Sequence, residues 1–291
     1  MRSAAQRRRL ALVLVITGSV LVIEVIGGVA SGSLALLADA GHMLTDVAGI
    51  GLALLAMRFA LRRADEERTF GYYRLEILAA VINGVLLFGI AAYVLIEAVR
   101  RLSDPPEIQS GLMLAVALLG AAANAVSLKI LHPAQGESLN VRGAYLEVLG
   151  DLLGSIAVLV AAVVVRLTGM DAADALASIL IGLLILPRTW HLLRESVDVL
   201  LEASPKGMDL SEVRRHILET DGVADVHDLH AWTITSGMPV LSAHVVLAEE
   251  ARDTEVLDRL VACLAEDFDV EHCTFQLEAS DRRPVEPGGH R

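Results

Sequence analysis

Up to residue 190 the chain alternates long apolar runs with short polar stretches. The runs fall at about 10–30, 34–57, 77–99, 111–129, 143–166 and 173–190. Each is near the roughly 20 residues a helix needs to cross the hydrocarbon core of a bilayer, where a helix satisfies its own backbone groups. The pattern therefore predicts an all-α bundle of six transmembrane helices spanning 1–207. After residue 208 the apolar positions become periodic. They predict an amphipathic helix near 209–220, strands near 223–234 and 240–248 around a turn at Ser236–Pro239, a helix near 253–268 and a strand near 272–279. This α-β-β-α-β order predicts a small two-layer α+β domain over 208–280. The polar, Pro/Gly-rich end, 281–291, is expected to be a disordered tail.

An even number of crossings puts both termini on one side of the membrane. Arg2, Arg7, Arg8 and Arg9 precede the first segment, and Arg58, Arg62, Arg63, Arg68 and Arg74 separate the second from the third. Lys129 and Arg142 flank the fourth-to-fifth link, and Arg188, Arg194 and Lys206 lie at or beyond the end of the sixth, against Arg100, Arg101 and Arg166 on the other face. The positive-inside bias places both termini and the C-terminal domain in the cytoplasm of a multi-pass protein of the cell (inner or plasma) membrane. The basic start with its apolar run is read as a retained first helix, since no small-residue cleavage signature follows it.

Composition agrees: 54% of residues are hydrophobic and mean hydropathy is +0.56. The net charge of −12 resides largely in the C-terminal third, in clusters such as Glu249–Glu250 and Glu266–Asp267. Cys263 and Cys273 have no disulfide or zinc-finger spacing, which suits a reducing compartment.

The chemistry lies in polar residues inside the apolar runs. In LLADAGHMLTD, His42 and Asp46 stand four apart and share a helix face, with Asp39 close to it. In YLEVLGDLLGS, Glu147 and Asp151 repeat the spacing. Each ionisable group at membrane depth costs at least about 2.5–3.5 kcal/mol, so four at matched spacing call for an interior site where something compensates them. One imidazole and three carboxylates suit a divalent cation in tetrahedral coordination. The same groups bind protons, and a neutral imidazole is required for ligation, so metal and protons compete. That is the chemistry of a metal/proton exchanger. Asn83, Asn124, Glu24 and Asp39 read instead as interhelical hydrogen-bonding residues.

Two other classes fit less well. An intramembrane metalloprotease needs an HExxH-type arrangement, which is missing. A proton-coupled exporter of organic cations has little use for an imidazole among three acids, and only 4% of residues are aromatic to line its cavity.

These stretches, with FGYYRLEILAAVINGV and VHDLHAWTITSGMPVLSAHVVL, resemble the cation diffusion facilitator family, in its zinc-transporting branch, over roughly residues 10–280. The resemblance implies a homodimeric Zn2+ efflux transporter with H+ as the coupling ion, working by alternating access, not an enzyme. It implies a metallochaperone-like (ferredoxin-like) cytoplasmic domain, and transport ligands at His42, Asp46, Glu147 and Asp151. Zinc-branch members commonly carry histidine where this chain has Glu147. The oxygen-rich set brings Mn2+, Fe2+, Co2+ and Cd2+ into consideration beside Zn2+. In the C-terminal domain the family's zinc site falls on His227, His244 and Glu278, with His272 or Cys273 as a further ligand and His230 packed beside Trp232. No metal is expected around Asp65, since Arg68 and Tyr72 replace the family's histidines, nor at His132. Arg74 is expected to pair with Glu202 or Asp198. No nucleic-acid partner is expected.

Overall fold

The computed structural model describes residues 2–60, 66–134, 139–249, 251–270 and 272–279, and leaves out the side chains of 2–8, 50, 52–57, 60, 134, 139 and 140. Asp65 and the 281–291 tail therefore lie outside the described residues. The helices are α1 (Arg2–Ser31), α2 (Leu34–Ala60), α3 (Arg74–Ser103), α4 (Ser110–Leu131), α5 (Leu139–Thr168) and α6 (Ala172–Leu200), then α7 (Leu210–Leu218) and α8 (Asp253–Phe268). Strands β1 (Val223–Thr233), β2 (Pro239–Leu247) and β3 (His272–Glu278) complete the chain. Several helices outrun their apolar segments: α6 continues from 190 to 200 through HLLRESVDVL, because hydropathy marks the hydrocarbon crossing and not the helix end.

The chain forms two compact units, 1–55 with 79–193, and 56–78 with 194–291. In the first, the polarity of a soluble protein is reversed. Val15, Val29, Tyr93, Leu167 and Leu184 are exposed, while Glu24, Asp39, Asp151 and Asp174 are almost fully buried. Exposed aliphatics with buried acids are stable when hydrocarbon is the solvent. Among the described residues α1, α3, α4, α5 and α6 each contain a stretch long and apolar enough to cross a membrane.

The interior joins Leu34, Leu36 and Ala38 of α2 to Leu87, Ala91 and Val94 of α3, Met113 and Ala117 of α4, Val158, Ala161 and Ala162 of α5, and Ala177 and Ile181 of α6. Its many alanines let backbones approach, which drives helix association in lipid. Two glycines make room for buried acids: a Cβ on Gly154 would lie 2.7 Å from Asp39 Oδ1, and one on Gly120 2.6 Å from Glu24 Oε1.

The start of α2 is held by another helix. Ser33 is its N-cap, its Oγ accepting from the Leu36 amide at 3.2 Å. Asp174 of α6 accepts from the Ser33 hydroxyl at 2.5 Å and from the Leu34 and Ala35 amides at 2.7 and 3.2 Å. These are helix-terminal amides that have no partner inside α2, and the carboxylate sits where the helix dipole favours negative charge. Arg101 adds a hydrogen bond to the Gly32 carbonyl at 2.7 Å. The α2 backbone, and with it the His42 turn, is thereby fixed in the bundle.

The second unit holds a three-stranded sheet in the order β1-β2-β3, with β1 antiparallel and β3 parallel to the central β2. Val226, Ala231, Leu241, Ala243 and Val245 form one face and pack with Val213 and Ile217 of α7 and Val256, Leu260 and Leu264 of α8. Arg74 reaches Glu202 at 2.8 Å, which settles the choice between Glu202 and Asp198.

Candidate metal sites

On α2, one turn brings His42 and Asp46 together, with Nε2 and Oδ2 3.6 Å apart. Asp151, from α5, enters the same spot with Oδ1 3.9 Å from the same imidazole nitrogen. Ligand atoms about 2.0–2.1 Å from a tetrahedral zinc stand about 3.3 Å from one another, so the cluster is near coordination distance. Among the described residues Asp46 Oδ2 and Asp151 Oδ1, the oxygens facing that nitrogen, are buried without a hydrogen-bond partner, as is the other imidazole nitrogen, Nδ1. Buried polar atoms are ordinarily satisfied, so two orphaned carboxylate oxygens facing one imidazole nitrogen mark a place for a cation or protons.

Glu147 is not in that cluster. Its Oε1 lies 2.9 Å from Arg188 Nη2 of α6, and both side chains are substantially exposed. Arg188 follows Pro187, inside α6. Sequence reasoning misses its role as partner to a candidate ligand, because it reads as a membrane-flanking positive charge.

Deeper in the bundle, Asn124 Nδ2 donates to Ser155 Oγ at 3.1 Å, and Ser155 Oγ donates to Asp39 Oδ2 at 3.3 Å. Asn124 and Asp39 thus take part in hydrogen bonds between helices. Glu24 does not: among the described residues neither of its buried carboxylate oxygens has a partner.

The C-terminal sheet carries a second cluster on the face away from α7 and α8. Cross-strand register aligns His227, His244 and Gln276 in one row. Glu278 meets both histidines, Oε2 3.2 Å from His227 Nε2 and Oε1 3.3 Å from His244 Nδ1, and Gln276 Nε2 donates to Oε1 at 2.7 Å. His272 shares this face but pairs with Val240, two positions of the same face away from the His244 row, and its ring packs on Phe70 at 5.6 Å. Cys273 lies on the opposite face, packed against the core. Between His227 and His230 a bulge sets two residues of β1 against one of β2, with Asp228 at φ 50°. The bulge puts His230 on the same face as His227, with Nε2 3.0 Å from Asp228 Oδ1.

Residues 10–201 match the family model for the cation efflux transmembrane domain, and residues 205–280 that for the cation efflux protein cytoplasmic domain. The chain belongs to the cation efflux, or cation diffusion facilitator, family. It is a membrane transporter and not an enzyme. The transporter is 49% identical over 284 residues to the metal cation efflux system protein CzcD of Cupriavidus metallidurans, covering 97% of this chain and 90% of that protein. It is 41% identical over 273 residues to the zinc transporter ZitB of Escherichia coli (93% and 87%). It is also 39% identical over 269 residues to the cadmium, cobalt and zinc/H(+)-K(+) antiporter of Bacillus subtilis (91% and 86%). A solved structure, the metal-bound C-terminal domain of the CzcD transporter, is 46% identical and covers 24% of this chain and 99% of that one, with a TM-score of 0.24.

Proposed function

We propose that this transporter is a homodimer that exports Zn2+ from the cytoplasm in exchange for H+, with both termini cytoplasmic. The observation that carries the proposal is the meeting of His42, Asp46 and Asp151, with two carboxylate oxygens that have no hydrogen-bond partner among the described residues, inside a lipid-facing bundle. Its likeness to a zinc transporter and to a cadmium, cobalt and zinc/H(+)-K(+) antiporter supports zinc as a cargo and protons as a counter-ion, and the basic residues around the cytoplasmic links support the orientation. In the arrangement described, three protein ligands leave the fourth tetrahedral position to water. Glu147 completes the set in another state of the cycle, after it leaves Arg188. Arg188 thereby acts as an internal cation competing for one carboxylate of the site. Alternation of access around a midplane site then carries the ion outward, where protons displace it.

The coupling has a definite sign. A metal-ligating imidazole must be neutral and a ligating carboxylate ionised, so protons compete with the metal and acid favours the protonated, metal-free site. Apparent Zn2+ affinity is expected to fall between pH 7.5 and 5.5, by up to about tenfold per pH unit for each proton displaced. Equilibrium Zn2+ binding by the purified protein at stepped pH checks this, and an affinity independent of pH contradicts H+ exchange.

A selectivity test addresses Glu147. Glu147→His replaces oxygen by a borderline-soft nitrogen donor and frees Arg188, and is expected to raise the Zn2+/Mn2+ transport ratio by roughly tenfold. Proteoliposome flux with Zn2+, Cd2+, Co2+, Mn2+ and Fe2+ under an imposed pH gradient reads the ratio; an unchanged ratio removes Glu147 from the ligand set. In the same assay, inhibition of Zn2+ flux by lipophilic organic cations at equal concentration would favour the organic-cation class instead.

We assign His227, His244 and Glu278 to a regulatory Zn2+ site on the C-terminal domain, without His272, whose position in the sheet is remote from the cluster. Metal bound there biases transport only by binding the two conformations unequally.

A further inference from the structure

A third group of metal-ligating side chains lies in the helix layer of the C-terminal domain, on the side of the sheet opposite the His227 cluster. Cys263 and Asp267 stand four apart on α8 and share its face. His216, in the last turn of α7, faces them. His216 Nδ1 is 3.2 Å from Asp267 Oδ2 and 4.0 Å from Cys263 Sγ, and Sγ is 3.6 Å from the same Oδ2. Around a tetrahedral zinc, with Zn–S about 2.3 Å and Zn–N or Zn–O about 2.0–2.1 Å, the corresponding separations are about 3.3 Å for N···O and about 3.5 Å for the pairs with sulfur. The three atoms are therefore nearly placed already. The imidazole is also held in orientation by packing, since the ring of Phe268 meets the His216 ring edge-on at 5.1 Å.

We propose that His216, Cys263 and Asp267 form a further cation site that takes a borderline-soft divalent ion such as Zn2+, Cd2+ or Co2+, with water as the fourth ligand. The donor set, one thiolate, one imidazole and one carboxylate, selects this class over Mg2+, Ca2+ or Mn2+. An ion there ties α7 to α8, the two helices that cover the sheet. A redox or nucleophilic role for Cys263 fits poorly, because burial and the neighbouring Asp267 and Glu266 push its thiol upward from the ordinary range. Binding a cation reverses that balance and releases the proton to solvent.

The chain has two cysteines, and neither the His42 nor the His227 cluster contains sulfur. Cobalt therefore reports this site alone in the full-length, detergent-solubilised, reduced protein, through the near-ultraviolet thiolate-to-Co2+ charge-transfer absorption. The band is expected on Co2+ titration, to vanish in Cys263→Ser and to persist in Cys273→Ser. His216→Ala and Asp267→Asn are expected to raise the Co2+ concentration for half-saturation by at least about tenfold. A band absent from the parent at saturating Co2+, surviving Cys263→Ser, lost with Cys273→Ser, or unaffected by the other two substitutions would overturn the assignment.

Discussion

Asp174→Ala is expected to cripple the transporter although Asp174 touches no candidate ligand. The substitution leaves the buried Leu34 and Ala35 amides and the Ser33 hydroxyl without their acceptor. A buried donor left unpaired costs about 1–3 kcal/mol, so the two amides alone put the loss at roughly 2–6 kcal/mol. The first turn of α2 then frays, and His42, about two turns further along, loses its fixed position relative to Asp151. Asp174→Asn keeps one acceptor oxygen and is expected to lose less. Thermal unfolding in detergent and Zn2+ flux should fall together for the alanine variant. Unchanged stability would show that the contact does not hold α2.

The cap also shows where sequence reading stops. The six apolar runs mark the helices, because hydrocarbon thickness sets their length, and the spacing of His42 and Asp46 marks half a site, because four residues bring a helix back to one face. Asp174 carries no such mark: it caps a helix some 140 residues away, and only the fold brings them together. The same holds for Arg188 and Glu147, 41 residues apart and on different helices. Matching Glu147 to Asp151 by spacing alone places both in the cluster, whereas helix α5 turns Glu147 toward a cation supplied by α6. In the sheet, alternation correctly puts His272 on the His244 face, but the distance along the strand depends on register, which pairs His272 with Val240. Strict alternation also separates His227 from His230; the bulge at Asp228 reunites them, and a bulge leaves no periodic trace.

The second large effect concerns the site itself. Asp151→Asn is expected to reduce Zn2+ flux by at least about 100-fold, beyond the 10–100-fold typical of losing an outer partner of a ligand. Asparagine matches the carboxylate in shape but brings no charge, so the cation loses electrostatic compensation in a low-dielectric interior. Folding should survive, since removing a buried charge at membrane depth relieves a cost. Glu147→Gln is expected to fall less, because Glu147 is paired with Arg188 and stands outside the cluster. Equal losses for the two variants would place Glu147 beside the ion throughout the cycle.

Carriage of the cation rests, in the proposed function, on His42, Asp46 and Asp151. Its most direct test is Zn2+ uptake into proteoliposomes under an imposed pH gradient, with internal Zn2+ and pH followed together, for the parent and Asp46→Ala. Zn2+ entry coupled to proton exit is expected in the parent, and neither in the variant. Zn2+ uptake that survives loss of Asp46, with the variant folded and reconstituted to the same level, would contradict it.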